Sequence, residues 1–200
     1  MTNPAATAVV AAFAALTLSA CASDTAQDAA GETTAPTETT APNETTAPAE
    51  TTAAADFTGT DLVFAEMMIP HHEQAIEMSE LALKLSQDPE VLALAQEILD
   101  AQAPEIEQMK TWGNLNLEAH AGHTMMGMLT PAQMSALAAA TGSAFDRLFL
   151  EGMIVHHEGA IQMAQMVIQS PNAEARKLGE QIVVSQAAEI KLMQKMLAAR

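Results

Sequence analysis

Two hundred residues suffice for one ordinary domain or two small ones, and an apolar share of 49% suffices for a core. Acids outnumber bases 25 to 8, a formal net charge of −17, and aromatic residues make up 3%; this excludes nucleic acid, whose phosphates need Lys and Arg and whose bases need stacking platforms. One Cys excludes an internal disulfide and a thiolate metal cluster, and leaves 14 Met and six His as an inventory of soft ligands.

The first segment, residues 1–21, reads as a signal peptide. Ala5 to Ala20 is apolar and Ala-rich, too short and too weakly apolar for a transmembrane helix, and suited to a secretory h-region. Its end, Leu18-Ser19-Ala20-Cys21, resembles a bacterial lipobox, in which cleavage precedes a Cys that is then lipidated. The n-region Met1-Thr2-Asn3-Pro4 departs from that pattern in lacking Lys and Arg. The expectation is a protein outside the cytoplasm, anchored to the membrane by lipid on Cys21. Residues 22–55 follow as a stalk: Glu-Thr-Thr-Ala-Pro repeats start at Glu32, Glu38 and Glu44, with six acids, no bases and no large apolar residue. Such a segment cannot offset its ordering entropy and is expected to stay disordered and extended.

Residues 56–200 form the folded domain, with eight bases against 19 acids. It is an internal duplication. Glu66 to Met78 (EMMIPHHEQAIEM) matches Glu151 to Met163 (EGMIVHHEGAIQM), and Gln102-Ala103-Pro104-Glu105-Ile106 matches Gln186-Ala187-Ala188-Glu189-Ile190. The apolar period is helical throughout. Phe64, Met68, His71, Ala75 and Met78 form one seam, Ala65, Ile69, His72 and Ile76 the next, and Glu66, Glu73, Glu77 and Glu80 the opposite, solvent face. Asp88-Pro89 and Ser170-Pro171-Asn172 are turn signals. Helices are therefore expected near 60–87, 90–112, 143–169 and 173–198, with a short one at 131–140 after the Thr130-Pro131 cap. Two copies suit a pseudo-twofold, all-α four-helix bundle built from two hairpins.

Folding each hairpin sets a register. A turn near residue 88 makes the numbers of opposed residues sum to about 176, placing His71 level with Glu105; a turn near 172 or 173 makes the sum about 345, placing His156 level with Glu189. His71, His72, Glu105 and Met68 thus form one layer, and His156, His157, Glu189 and Met153 a second, inside one bundle. Two readings compete. Either His–Glu pairs fix the helix register, or imidazoles ligate a metal with the carboxylates as ligands or orienters. Between the hairpins, His120, His123, Met125, Met126 and Met128 lie in a stretch with Gly122 and Gly127, which reads as an exposed, flexible loop suited to capturing metal. Thioethers beside imidazoles favour copper, as Cu(I) or Cu(II), over Mg²⁺ or Ca²⁺. Pro70, where the second copy has Val155, is expected to kink its helix and make the two layers unequal.

The repeated Met-x-x-His-His-x-x-Ala-Ile-x-Met, the Gln-x-x-Glu-Ile helix and Phe145-Asp146-Arg147-Leu148-Phe149-Leu150 resemble the bacterial family named domain of unknown function 305, over about residues 60–198. The resemblance implies a ferritin-like four-helix fold, export and, for some members, copper binding. The expectation is a non-enzymatic copper-binding lipoprotein that sequesters or hands over the ion. The alternatives are a structural or partner-binding envelope domain without metal, and a ferritin-like di-metal oxidase. The last is disfavoured, because that site wants Glu-x-x-His and Met68 and Met153 stand three residues before His71 and His156.

Overall fold

Thr58 begins the first helix through a reciprocal cap: its hydroxyl accepts from Asp61 N–H, and the Asp61 carboxylate accepts from Thr58 N–H at 2.7 Å. The computed structural model describes residues 56–120 and 123–200; the signal segment with Cys21 and the stalk lie outside the described residues. Helix α1 runs Gly59–Leu85 and α2 Pro89–Lys110, with Asp88 accepting from Glu90 N–H and Val91 N–H at the turn and Pro89 at the first helical position. A 3₁₀ turn, Leu117–His120, and helix α3, Pro131–Ala139, lie in the connection that leads to α4, Gly142–Ala164. Asn172 caps α5, Ala173–Ala198, in the manner of Asp88. Among the described residues all regular structure is helical.

The boundaries follow the sequence signals with one difference. Helix α4 stops at Ala164 rather than near 169. Its last turn tightens instead, with Met166 N–H donating to Met163, Val167 N–H to Ala164 and Ser170 N–H to Val167. Gly179 of α5 makes room for it, since a Cβ there would stand 2.7 Å from Val167 Cγ2. Pro70 and Pro104 both remain inside continuous helices.

Two apolar clusters set the packing. One joins Phe64, Met68 and Ile69 of α1 to Ile106 and Met109 of α2, Ala160 and Met163 of α4, and Leu178 and Ile182 of α5. The other joins Ala75, Met78 and Ala82 to Val91 and Ile98, Phe149 and Met153, and Met193 and Met196. The start of α1 therefore lies beside the end of α2, the end of α4 and the start of α5. The four long helices run up, down, down and up, and residues 111–141 must travel the length of the bundle between the two hairpins. One long crossover between two hairpins is the connectivity of ferritin-like bundles. Polar ties fasten the ends: Ser86 Oγ donates to buried Asp146 of α4 at 2.5 Å, Arg200 pairs with Asp88 at 2.6 Å, and Glu174 of α5 accepts from Gln108 of α2 and from Trp112 just beyond it.

Candidate metal site

The two clusters meet at the histidine layer, where all four imidazoles are fully buried. The observed register lies within one residue of the expected one. His72 Nε2–H donates to Glu105 at 2.8 Å, and His157 Nε2–H donates to Glu189 at 2.6 Å. Each second histidine thus takes the carboxylate, and each first histidine faces its counterpart across the pseudo-twofold axis. The His71 and His156 rings lie 3.8 Å apart between centroids. Glu105 and Glu189 keep 19% and 18% of their side chains exposed, so water still reaches each carboxylate from outside.

The layers are unequal at the imidazoles. His71 donates Nε2–H to the Met126 carbonyl of the crossover at 3.0 Å, whereas neither ring nitrogen of His156 has a hydrogen-bond partner of good geometry. Burial pushes the His71 imidazole down to a pKa of about 3, helped by the charges that His72 and His157 would carry. Burial likewise holds His156 well below the ordinary histidine value, with His71 the next cause. Both rings are therefore neutral, the form that can ligate a metal. Nδ1 of His71, His72 and His157 has no partner either, nor do the side-chain amide of buried Gln102 and the Gln186 oxygen. Met68 and Met153 are fully buried within the two apolar clusters. Among the described residues, no three His, Cys, Asp or Glu side chains converge as a metal-binding group.

The crossover builds a second site. A cavity of about 640 Å³ opens between α1, the 3₁₀ turn and α3. From the crossover it is lined by His120, His123, Met125 and Met128. Glu73, Gln74 and Glu77 of α1 and Met134 of α3 complete it. Three expectations need correction here. His120 belongs to the 3₁₀ turn rather than to an irregular loop, and its Nε2 lies 3.5 Å from Glu66. Met125 is not exposed: it is 7% accessible and packs into the first apolar cluster. Glu66 does not face open solvent, because it accepts from Asn116 N–H at 2.6 Å and so ties the crossover to α1. Met126 is 54% exposed and stands outside the cavity; its carbonyl, not its sulfur, meets the site. Glu73 and Glu77 stay exposed, as the helical period expects; that they and Met134 of α3 line one cavity depends on where the crossover lies, which the period does not give. The acidic spacing Glu73/Glu77, one turn apart beside Pro70, is the only signal the chain offers.

The fold and its histidine layer define a helical bundle with paired histidines at its centre. Residues 61–197 match the family described as a domain of unknown function, DUF305. The chain belongs to that family. A DUF305 fragment from Deinococcus radiodurans is 30% identical, covering 73% of this chain and 100% of that one, with a TM-score of 0.64. A DUF305 protein of Streptomyces coelicolor is 31% identical over 70% of this chain and 93% of its own, with a TM-score of 0.63. CopM in its Cu(II)-bound form is 38% identical over 71% and 97%, with a TM-score of 0.60, and CopM has also been solved in Cu(I)- and Ag-bound forms. No curated protein sequence matches the chain.

Proposed function

We propose that this domain binds copper as cargo, outside the cytoplasm, and sequesters it or hands it on. The observation that carries the reading is the crossover cavity, where His120 and His123 meet Met125, Met128 and Met134. Thioethers favour Cu(I) and imidazoles accept either oxidation state, so such a lining can hold copper through a change of valence. The relatives solved with Cu(I), Cu(II) and Ag support it. The domain is read as a carrier rather than a catalyst, since both inward carboxylates are engaged by His72 and His157.

The test is competition titration of both ions. Met125→Leu, Met128→Leu and Met134→Leu together conserve volume and are expected to lower Cu(I) affinity most. His120→Gln with His123→Gln is expected to lower Cu(II) affinity most. Affinities unchanged in both sets would overturn the cavity assignment.

A second reading places copper in the buried layer. It is favoured by the order Glu–imidazole with an unpartnered Nδ1 at His72 and His157, since metal-ligating histidines are commonly oriented by a carboxylate on the other nitrogen. His156→Leu separates the two: it removes a buried donor and leaves the cavity untouched. Loss of copper binding in that variant alone would move the site to the His71/His156 layer.

The lipobox-like Leu18-Ser19-Ala20-Cys21 supports attachment through Cys21. Among the described residues no helix is long and apolar enough to cross a membrane. Two acyl chains hold a protein stably where one does not. Cys21→Ser is expected to shift the protein from the membrane fraction to the soluble one; identical fractionation would remove the anchor from the proposal.

A further inference from the structure

The internal duplication is broken at four positions between Glu66–Met78 and Glu151–Met163, and the crossover contacts one of them from both copies. His72-Glu73-Gln74-Ala75 of α1 corresponds to His157-Glu158-Gly159-Ala160 of α4, so Gln74 and Gly159 occupy the same place in the two copies. Gln74 grips Leu129 of the crossover with both ends of its amide. Leu129 N–H donates to Oε1 at 2.7 Å, and Nε2–H donates to the Leu129 carbonyl at 2.9 Å. A side-chain amide offers one acceptor and a donor pair, which together satisfy both backbone groups of one residue. Gly159 acts by having no side chain. A Cβ there would overlap the Met126 carbonyl oxygen and stand 2.9 Å from Gly127 Cα. Gly127 completes the close approach at φ +84°, where a Cβ would lie 2.5 Å from the Val155 carbonyl oxygen. His71 supplies a third fastening through the Met126 carbonyl. The segment from Met126 to Leu129 is thus seated on both copies of the motif, and the residues that line the cavity from it, Met125 and Met128, adjoin or belong to it.

We infer that Gln74 and Gly159 are positioning residues for the methionine wall of the cavity. Neither contributes a thioether or imidazole; each fixes where Met125 and Met128 stand, one by clamping the crossover and the other by leaving it room. This rests on the copper reading, and deepens it by separating the residues that hold the ion from those that hold the ligands. It also accounts for the unequal copies: a duplicated bundle with a single crossover needs a clamp on one side and a vacancy on the other.

The experiment compares the full-length protein with Gln74→Ala, Gln74→Glu and Gly159→Ala by two readouts. The first, amide exchange at Leu129, requires no metal. The second is Cu(I) and Cu(II) competition titration. Leu129 exchange is expected to quicken in Gln74→Ala and Gly159→Ala, and Cu(I) affinity to fall roughly 10- to 100-fold, the usual cost of losing an orienting group around a metal. Gln74→Glu keeps an acceptor for Leu129 N–H but donates nothing to its carbonyl, and should fall between. Cu(II) affinity is expected to fall less than Cu(I), a selectivity that general unfolding would not produce. A wild-type protein that binds no Cu(I) overturns the copper reading and this inference with it. A wild-type protein that binds Cu(I), with Gln74→Ala and Gly159→Ala binding it equally well, overturns the positioning role alone.

Discussion

Acidifying the metal-free domain from pH 7 to pH 4 is expected to bring it close to unfolding. In the unfolded chain His71 and His156 titrate near 6.5. In the folded chain burial holds His71 at about 3 and His156 well below its ordinary value. Between those limits the unfolded state binds protons that the folded state refuses, so the stability is fully present above about pH 6.5 and is lost as pH falls toward 3. Each histidine removes up to about 1.4 kcal/mol per pH unit, and the two together up to roughly 3. A domain of this size commonly has about 5–15 kcal/mol to lose. Denaturation midpoints measured at half-unit steps from pH 7 to 4 check this. His156→Leu should reduce the slope by one proton. It should also stabilise the neutral protein by about 1–3 kcal/mol, because the ring nitrogens it removes have no good partner. A flat profile between pH 6.5 and 4 would show that water reaches the layer and the rings are not dry.

Truncating the outer members of the layer should act in the opposite direction. His72→Ala and His157→Ala each remove the donor from an inward carboxylate and leave a cavity where a fully buried ring stood. Breaking a fully buried pair costs about 3–5 kcal/mol. Glu105 and Glu189 keep 19% and 18% exposure, so water replaces part of the lost hydrogen bond, and about 2–3 kcal/mol per site is the expectation. For a domain of this length that corresponds to a melting temperature lower by roughly 5–10 °C. A double-mutant cycle with Glu105→Gln isolates the pair itself. A change below about 1 kcal/mol in both histidine variants would mean that the pairs follow from the bundle's register without contributing to it.

The contrast between these two results bears on copper. His72 and His157 are bound to carboxylates, whereas His71 and His156 meet each other in a fully buried layer at neutral charge. If the layer is a framework, His156→Leu is a stabilised protein that still binds copper in the crossover cavity. If it is a metal site, the same variant is more stable and binds less. The sign of the stability change is common to both; the copper affinity distinguishes them.

Much of this architecture was legible in the residue order because it depends on local periodicity and on one turn per hairpin. The 4-3 spacing of Phe64, Met68, His71, Ala75 and Met78 names a buried face without reference to any other element. Asp88-Pro89 and Asn172 mark the turns, and antiparallel pairing then makes the opposite residue a matter of arithmetic, since helices rise by a constant 1.5 Å per residue. Those two facts place Glu105 level with His71 and Glu189 level with His156; the structure moves each pairing one residue on, to His72 and His157. The duplicated motif added the twofold relation; the meeting of His71 and His156 came only with the structure.

The crossover obeys no such rule, and there only the tertiary structure decided. Residues 111–141 have no period that says which surface they cover. That surface is the face of α1 bearing Glu66, Glu73 and Glu77, which helical spacing assigns to water. Laying the segment beside it buries Met125, leaves Met126 exposed, and makes Glu73 and Glu77, which stay exposed, part of a cavity wall. The exchange of Gln74 for Gly159 between the copies was visible as a difference, but its meaning was not. A clamp and a vacancy are complementary only once a third segment lies between them, and that contact joins residues 55 positions apart in the chain on one side. Contacts of that range are set by the packing of the whole bundle rather than by the residues on either side of them.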